Sequence, residues 1–102
     1  MTQVAPVAVT VGEGIATIVL AGDVDVVVAD QVRSRVVEAL AGAPEIVVFD
    51  FGQVTFVDSS GLGILGLALT GSADVVLRGA SASVRRLVDA VGFTPLLRFE
   101  PA

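Results

Sequence analysis

Three residue types that carry much of enzyme chemistry are missing from these 102 residues: cysteine, histidine and lysine. Without cysteine there is no disulfide framework and no thiolate metal site. Without histidine the chain lacks the usual general base of a hydrolytic triad and the commonest metal ligand. Without lysine neither a P-loop nor a Schiff base can be built. Basic charge is scarce as well: six arginines face eleven acids, for a net charge of −5. Nucleic-acid affinity rests on a basic surface, so nucleic acid is not an expected partner. Arg85-Arg86 is the one local basic pair, and such a pair on a helix reads as solvated surface.

Long hydrophobic runs are also absent. Crossing a bilayer takes roughly 20 apolar residues, and Leu62 to Leu69 falls far short of that. Met1-Thr2-Gln3 lacks the charged start of a secretory signal. These absences lead us to expect a soluble cytoplasmic protein with no membrane span, no metal and no cofactor of its own. What the chain does have is apolar content, 54% of its residues. That suffices for one hydrophobic core, and the length fits a single domain over residues 1–102.

Hydrophobic spacing sets the order of elements. Val4 to Val11 reads as a strand, placed at an edge because Pro6 cannot donate to a ladder. Gly12-Glu13-Gly14 gives a hairpin turn into Ile15 to Leu20, a second β-branched strand. Gly22-Asp23-Val24-Asp25 is expected to break that strand. From Val28 to Leu40 the spacing is helical, with Val28, Val32, Val36 and Leu40 on one face, broadened by Ala29, Val37 and Ala39. Gly42 and Pro44 end this helix. Glu45 to Asp50 reads as a strand buried on both faces, Phe51-Gly52-Gln53 as a loop, and Val54 to Val57 as a further extended piece.

A short, very apolar helix follows from Leu62 to Leu69, with Gly66 inside it and Thr70-Gly71-Ser72 as its close. One stripe of a helix is buried against a sheet, so part of this segment is expected to remain outside as a contact patch. Asp74 to Arg78 is the next strand. Ser81 or Ser83 caps a third helix through Val91, with Val84, Leu87, Val88 and Val91 inward. Phe93 to Phe99 is expected to be extended, as a last edge strand limited by Pro95. Strands separated by helices call for right-handed crossovers. The fold class expected is α/β: a small mixed β-sheet of four to five strands with helices packed mainly on one face.

Asp58-Ser59-Ser60-Gly61-Leu62-Gly63 sits where a strand hands over to the apolar helix. Unpaired N–H groups and the positive end of the macrodipole meet there, a place for an anion or for a serine that becomes one. Asp58 and the serines also fit as N-cap residues, with Gly61 and Gly63 relaxing the turn. Both readings stand on the pattern alone.

Phe56-Val57-Asp58-Ser59-Ser60-Gly61-Leu62-Gly63 resembles the signature of the STAS domain family, in particular of anti-sigma factor antagonists. Leu20-Ala21-Gly22-Asp23-Val24-Asp25 is similar to the family's Gly-Glu-Leu-Asp turn before its first helix. Val84 to Phe93 is similar to its last well-marked helix and the glycine stop after it. The likeness runs from about Val7 to Phe99. It departs from the family pattern in two places: the second helix ends about one turn early, and Val28 stands where many relatives place a threonine.

The resemblance implies a small mixed sheet with helices against it, and a phosphoacceptor at Ser59. It implies a partner-binding face that includes Asp25, Asp58, Ser60, Gly61, Leu62 and Gly63. Asp58 is open to two roles, cap or positioning group. Asp25 is either the N-cap of the first helix or part of the face that meets the partner. Ser60 is a second cap and the competitor of Ser59 for modification. The implied partners are an anti-sigma factor with serine kinase activity, which carries the ATP and magnesium, and a serine phosphatase. Unphosphorylated, the protein would bind the anti-sigma factor and free a sigma factor. A second reading is a non-phosphorylated STAS subunit of a larger assembly, such as a lipid-trafficking transporter complex or a stress-sensing scaffold. An enzyme with Ser59 as nucleophile is the weakest reading, since only a carboxylate such as Asp58 could act as base, a poor match for a serine hydroxyl.

Overall fold

A computed structural model describes residues 7–101 of the chain. Val4, Ala5 and Pro6 of the expected first strand lie outside the described residues. The elements are β1 (Val7–Gly12), β2 (Ile15–Val24), α1 (Ala29–Ala41), β3 (Ile46–Val57), α2 (Ser59–Leu69), β4 (Asp74–Arg78), α3 (Ala82–Ala90) and β5 (Arg98–Glu100). Strands lie in the sheet in sequence order, β1 to β5. β1 pairs antiparallel with β2, and every later pair is parallel.

The hairpin forms at Glu13-Gly14, both with positive φ (55° and 77°), the pattern whose twist matches the flanking strands. Each later crossover steps the same way across the sheet. Right-handed crossovers therefore put all three helices on one face. The register agrees: Ile18 lies beside Phe49, and Phe49 beside Leu77. All three are buried with Val32 and Val36 of α1, Ile64 and Leu65 of α2, and Val84 and Val88 of α3. The expected α/β class, with a mixed sheet and helices on one face, is the fold observed. Among the described residues no helix is long and apolar enough to cross a membrane.

Several boundaries differ from those read in the sequence. β2 does not break at Gly22-Asp23 but runs on to Val24, and Phe51-Gly52-Gln53 is strand, not loop. The two departures explain each other. Residues 21–24 of β2 find partners in residues 53–57 of β3, with register shifts after Val19 and after Gly22. Cross-strand pairing overrides the local turn signal of glycine and aspartate. The paired arms carry the ends of β2 and β3 to one place.

α3 buries only Val84 and Val88, while Leu87 and Val91, expected inward, are exposed. The helix is nine residues long and ends before Val91, and its neighbour β5 is three residues long, so there is little sheet beneath it. Its cap is Ser81, whose Oγ accepts from Val84 N–H at 3.2 Å. Ser83 lies inside the helix. Phe93 to Phe99 is not extended throughout: Thr94–Leu96 forms a 3₁₀ turn with Pro95 in it, and only Arg98–Glu100 joins the sheet. Val37 of α1 is also exposed, off the face to which the spacing assigned it.

Candidate functional site

The chain enters α2 directly from β3, with Asp58 as the junction. Its backbone is extended (φ −109°, ψ −171°), and helical geometry begins at Ser59. Oδ1 of Asp58 accepts from Ser60 N–H at 2.9 Å and from Gly61 N–H at 3.3 Å. Its other oxygen, Oδ2, accepts from Val26 N–H at 3.2 Å. The Asp58 N–H itself reaches the Val24 carbonyl at 3.4 Å. One carboxylate thus caps α2 and fastens the β2–α1 loop to it. Of the two roles left open for Asp58, the cap is the one this geometry shows.

The helix starts three residues earlier than the apolar spacing suggested. Ser59 and Ser60 are therefore its first two residues, and Ser60 is capped where it was expected to cap. The N–H groups of Ser60 and Gly61, expected to hold an anion, are already held by Asp58. An exposed Ser59 begins the helix and Ser60 is half-buried. The side chain of Ser59 is open to solvent, as a modification site requires.

Gly61 is buried for a reason other than turning. A Cβ there would stand 2.7 Å from the Val24 carbonyl oxygen and 2.9 Å from Cγ1 of Val57. The first turn of α2 lies so close to the ends of β2 and β3 that only glycine fits. Leu62 is buried too, so both residues shape the site from beneath, while Gly63 is exposed with nothing within 4 Å of its missing Cβ.

Asp25 closes the loop on the β2 side. Its Oδ1 accepts from Val27 N–H at 3.0 Å, and its carbonyl accepts from Val28 N–H at 3.2 Å. It is not the N-cap of α1: Val28 holds that position, without a side-chain cap bond. Asp25 and Asp58 thus organise one loop from its two sides.

That loop carries residues which the sequence reading passed over. Val26 and Val27 are 71% and 73% exposed, and Phe56, beside Asp23 at the end of β3, is 53% exposed. The signal available was two valines in the gap between a strand and a helix, where polar residues are the rule. The apolar patch expected on α2 shrinks to two half-buried leucines. Leu62, Ile64, Leu65 and Ala68 are buried and Leu67 and Leu69 half-buried. α2 lies between α1 and Phe93, whose ring tip would stand 3.1 Å from a Cβ on Gly66. Neighbours on both flanks take up the side chains that a solitary helix would expose.

The family model described as the STAS domain matches residues 6–102. Among solved structures, an anti-sigma factor antagonist from Mycobacterium paratuberculosis is similar at 21% identity and a TM-score of 0.83, over 94% of this chain and 85% of that one. SpoIIAA in its unphosphorylated form is similar at 21% identity and 0.73, over 92% and 86%. The phosphorylated form of SpoIIAA, a Bacillus cell fate determinant, gives 20% and 0.73, over 91% and 89%. At these identities the likeness is one of fold.

Proposed function

Because the chain belongs to the STAS domain family, we propose that it is an anti-sigma factor antagonist, switched by phosphorylation of Ser59. Unphosphorylated, it binds an anti-sigma factor that is also a serine kinase and so releases a sigma factor. The kinase, with its own ATP and magnesium, phosphorylates Ser59 and ends the contact. A serine phosphatase restores it. The observation that carries this reading is the exposed Ser59 at the start of α2, next to a carboxylate already bound to the helix. SpoIIAA, which shares the fold, is a protein known in both unphosphorylated and phosphorylated forms.

The geometry favours a switch that works through charge. Phosphorylation adds about −1.5 to −2 charges at Ser59. The N–H groups of Ser60 and Gly61 are already taken by Asp58, so they are not free to neutralise the added charge. Two charges about 7 Å from a like charge on the partner, at an effective dielectric near 40, repel by roughly 2 kcal/mol. That is about a thirty-fold loss of affinity, before any clash is counted. The exposed Val26, Val27 and Phe56 supply apolar contact area around the serine, of the kind that binding surfaces use.

A stable subunit of a larger assembly would call for a broad apolar face left outside on α2. Its side chains are accounted for by the core, which leaves the switch as the better-supported reading. Ser59 as an enzymatic nucleophile fares worse: both oxygens of Asp58 accept from backbone N–H groups and none is turned into service as a base. The test is phosphorylation by a cognate anti-sigma kinase with ATP, followed by mass mapping. One phosphate on Ser59 is expected, and modification elsewhere or none with several such kinases contradicts the proposal.

A further inference from the structure

The free edge of β1 and the flank of α1 beside it have no part in the site at Ser59. β1 reads Val7-Ala8-Val9-Thr10-Val11-Gly12, with no charge in it. Among the described residues it is an edge strand, paired on one side only, with β2. Alternate residues of such a strand turn their N–H and C=O groups outward. Natural edges of this length are usually blunted by charge, proline, a bulge or a cover. Val7–Gly12 itself holds no charge, proline or bulge, and its pairing with β2 is unbroken.

The exposed side chains follow the same line. Val11 is 61% exposed although its partner across the ladder, Ala16, is fully buried. Val9, Val11, Arg35, Glu38 and Ala39 line one notch between β1 and α1. Arg35 and Glu38 are three residues apart on one helix flank, exposed and opposite in sign. Among the described residues neither forms an ion pair, the two bridges being Arg33–Asp30 and Arg78–Glu100.

We infer that β1 pairs antiparallel with β1 of a second copy of this chain, extending the sheet across a two-fold axis. An axis normal to the sheet keeps the helices of both copies on one face and sets like-facing residues opposite each other. It passes through Val9 or Thr10. In the first register Val11 meets Val7 of the second copy, and in the second it meets Val9, so Val11 is covered either way. With strands about 4.8 Å apart and α1 lying across β1 and β2, the two α1 helices run antiparallel about 10 Å apart. Arg35 of each copy then faces Glu38 of the other.

This charge arrangement selects a second copy over a foreign strand. A flank carrying one positive and one negative group complements itself under two-fold rotation, with two ion pairs formed and no like charges opposed. A strand edge alone is short of the roughly 1,000 Å² that a specific interface needs, so the helix flanks must contribute and the affinity is modest. Ser59 follows β3 at the end of the sheet and stays open in both copies, so the dimer stands or falls separately from the switch.

Sedimentation of the full chain from about 10 µM to about 1 mM tests this, and a concentration-dependent monomer–dimer equilibrium is expected. Thr10→Lys places like charges near the axis. Arg35→Glu and Glu38→Arg each oppose like charges across it, and each of the three changes is expected to weaken the dimer about tenfold or more. The double change Arg35→Glu with Glu38→Arg restores it, which a folding defect would not do. A chain that stays monomeric throughout overturns the inference, as does a dimer indifferent to all of these substitutions.

Discussion

Asp58 joins more of the candidate site than any other residue. It takes two N–H groups of α2 and one of the β2–α1 loop. Asp58→Ala should cost about 1–2 kcal/mol in urea unfolding, the usual loss for an N-cap acceptor. The Val26 amide should also exchange faster with solvent, which loss of a cap alone would not cause. Gly61 offers a sharper test of the packing. The 2.7 Å approach of its absent Cβ to the Val24 oxygen predicts that Gly61→Ala costs about 1–3 kcal/mol by thermal unfolding. Gly63→Ala, into open space on an exposed turn of α2, should instead stabilise by about 0.5–1 kcal/mol. The sequence could name both glycines but could not separate them, because the difference lies in residues 24 and 57, far from one of them along the chain.

At the scale of elements, the β2–α1 loop is where sequence reading gave least. Its valines continue a Val-rich run, and their place between a strand and a helix is the one local sign that they stand outside the core. Their exposure follows from the long β2/β3 arm, which no local signal announced because its pairing joins residues some thirty positions apart. Val26→Ser and Val27→Ser should each lower affinity for the anti-sigma partner about tenfold by calorimetry. Stability should change by no more than about 0.5 kcal/mol, since both side chains are already in water. α3 gives the converse case. Its spacing fitted an inward stripe of four, yet only Val84 and Val88 are covered. Val88→Ala should therefore destabilise by about 2 kcal/mol, and Leu87→Ala by less than about 1 kcal/mol. The motif helix was legible in type and in end, but its start was hidden because serine and glycine interrupt the apolar pattern.

For the molecule as a whole, the alternation of strand and helix spacings was enough to give the class, and the shortness of the chain pointed to one covered face. Proximity was harder to read: the loop that begins at Asp25 reaches Asp58 only because β2 and β3 end together. In the proposed mechanism this junction is a contact erased by charge on one hydroxyl, with the fold left as it is. Its most direct test is the affinity of the cognate anti-sigma factor for the chain before and after stoichiometric phosphorylation, with backbone amide spectra recorded on both forms. We expect a loss of about thirty-fold or more, with spectral changes confined to the β2–α1 loop and the first turn of α2. Equal affinity for the two forms, or a loss accompanied by changes throughout the sheet, would contradict it.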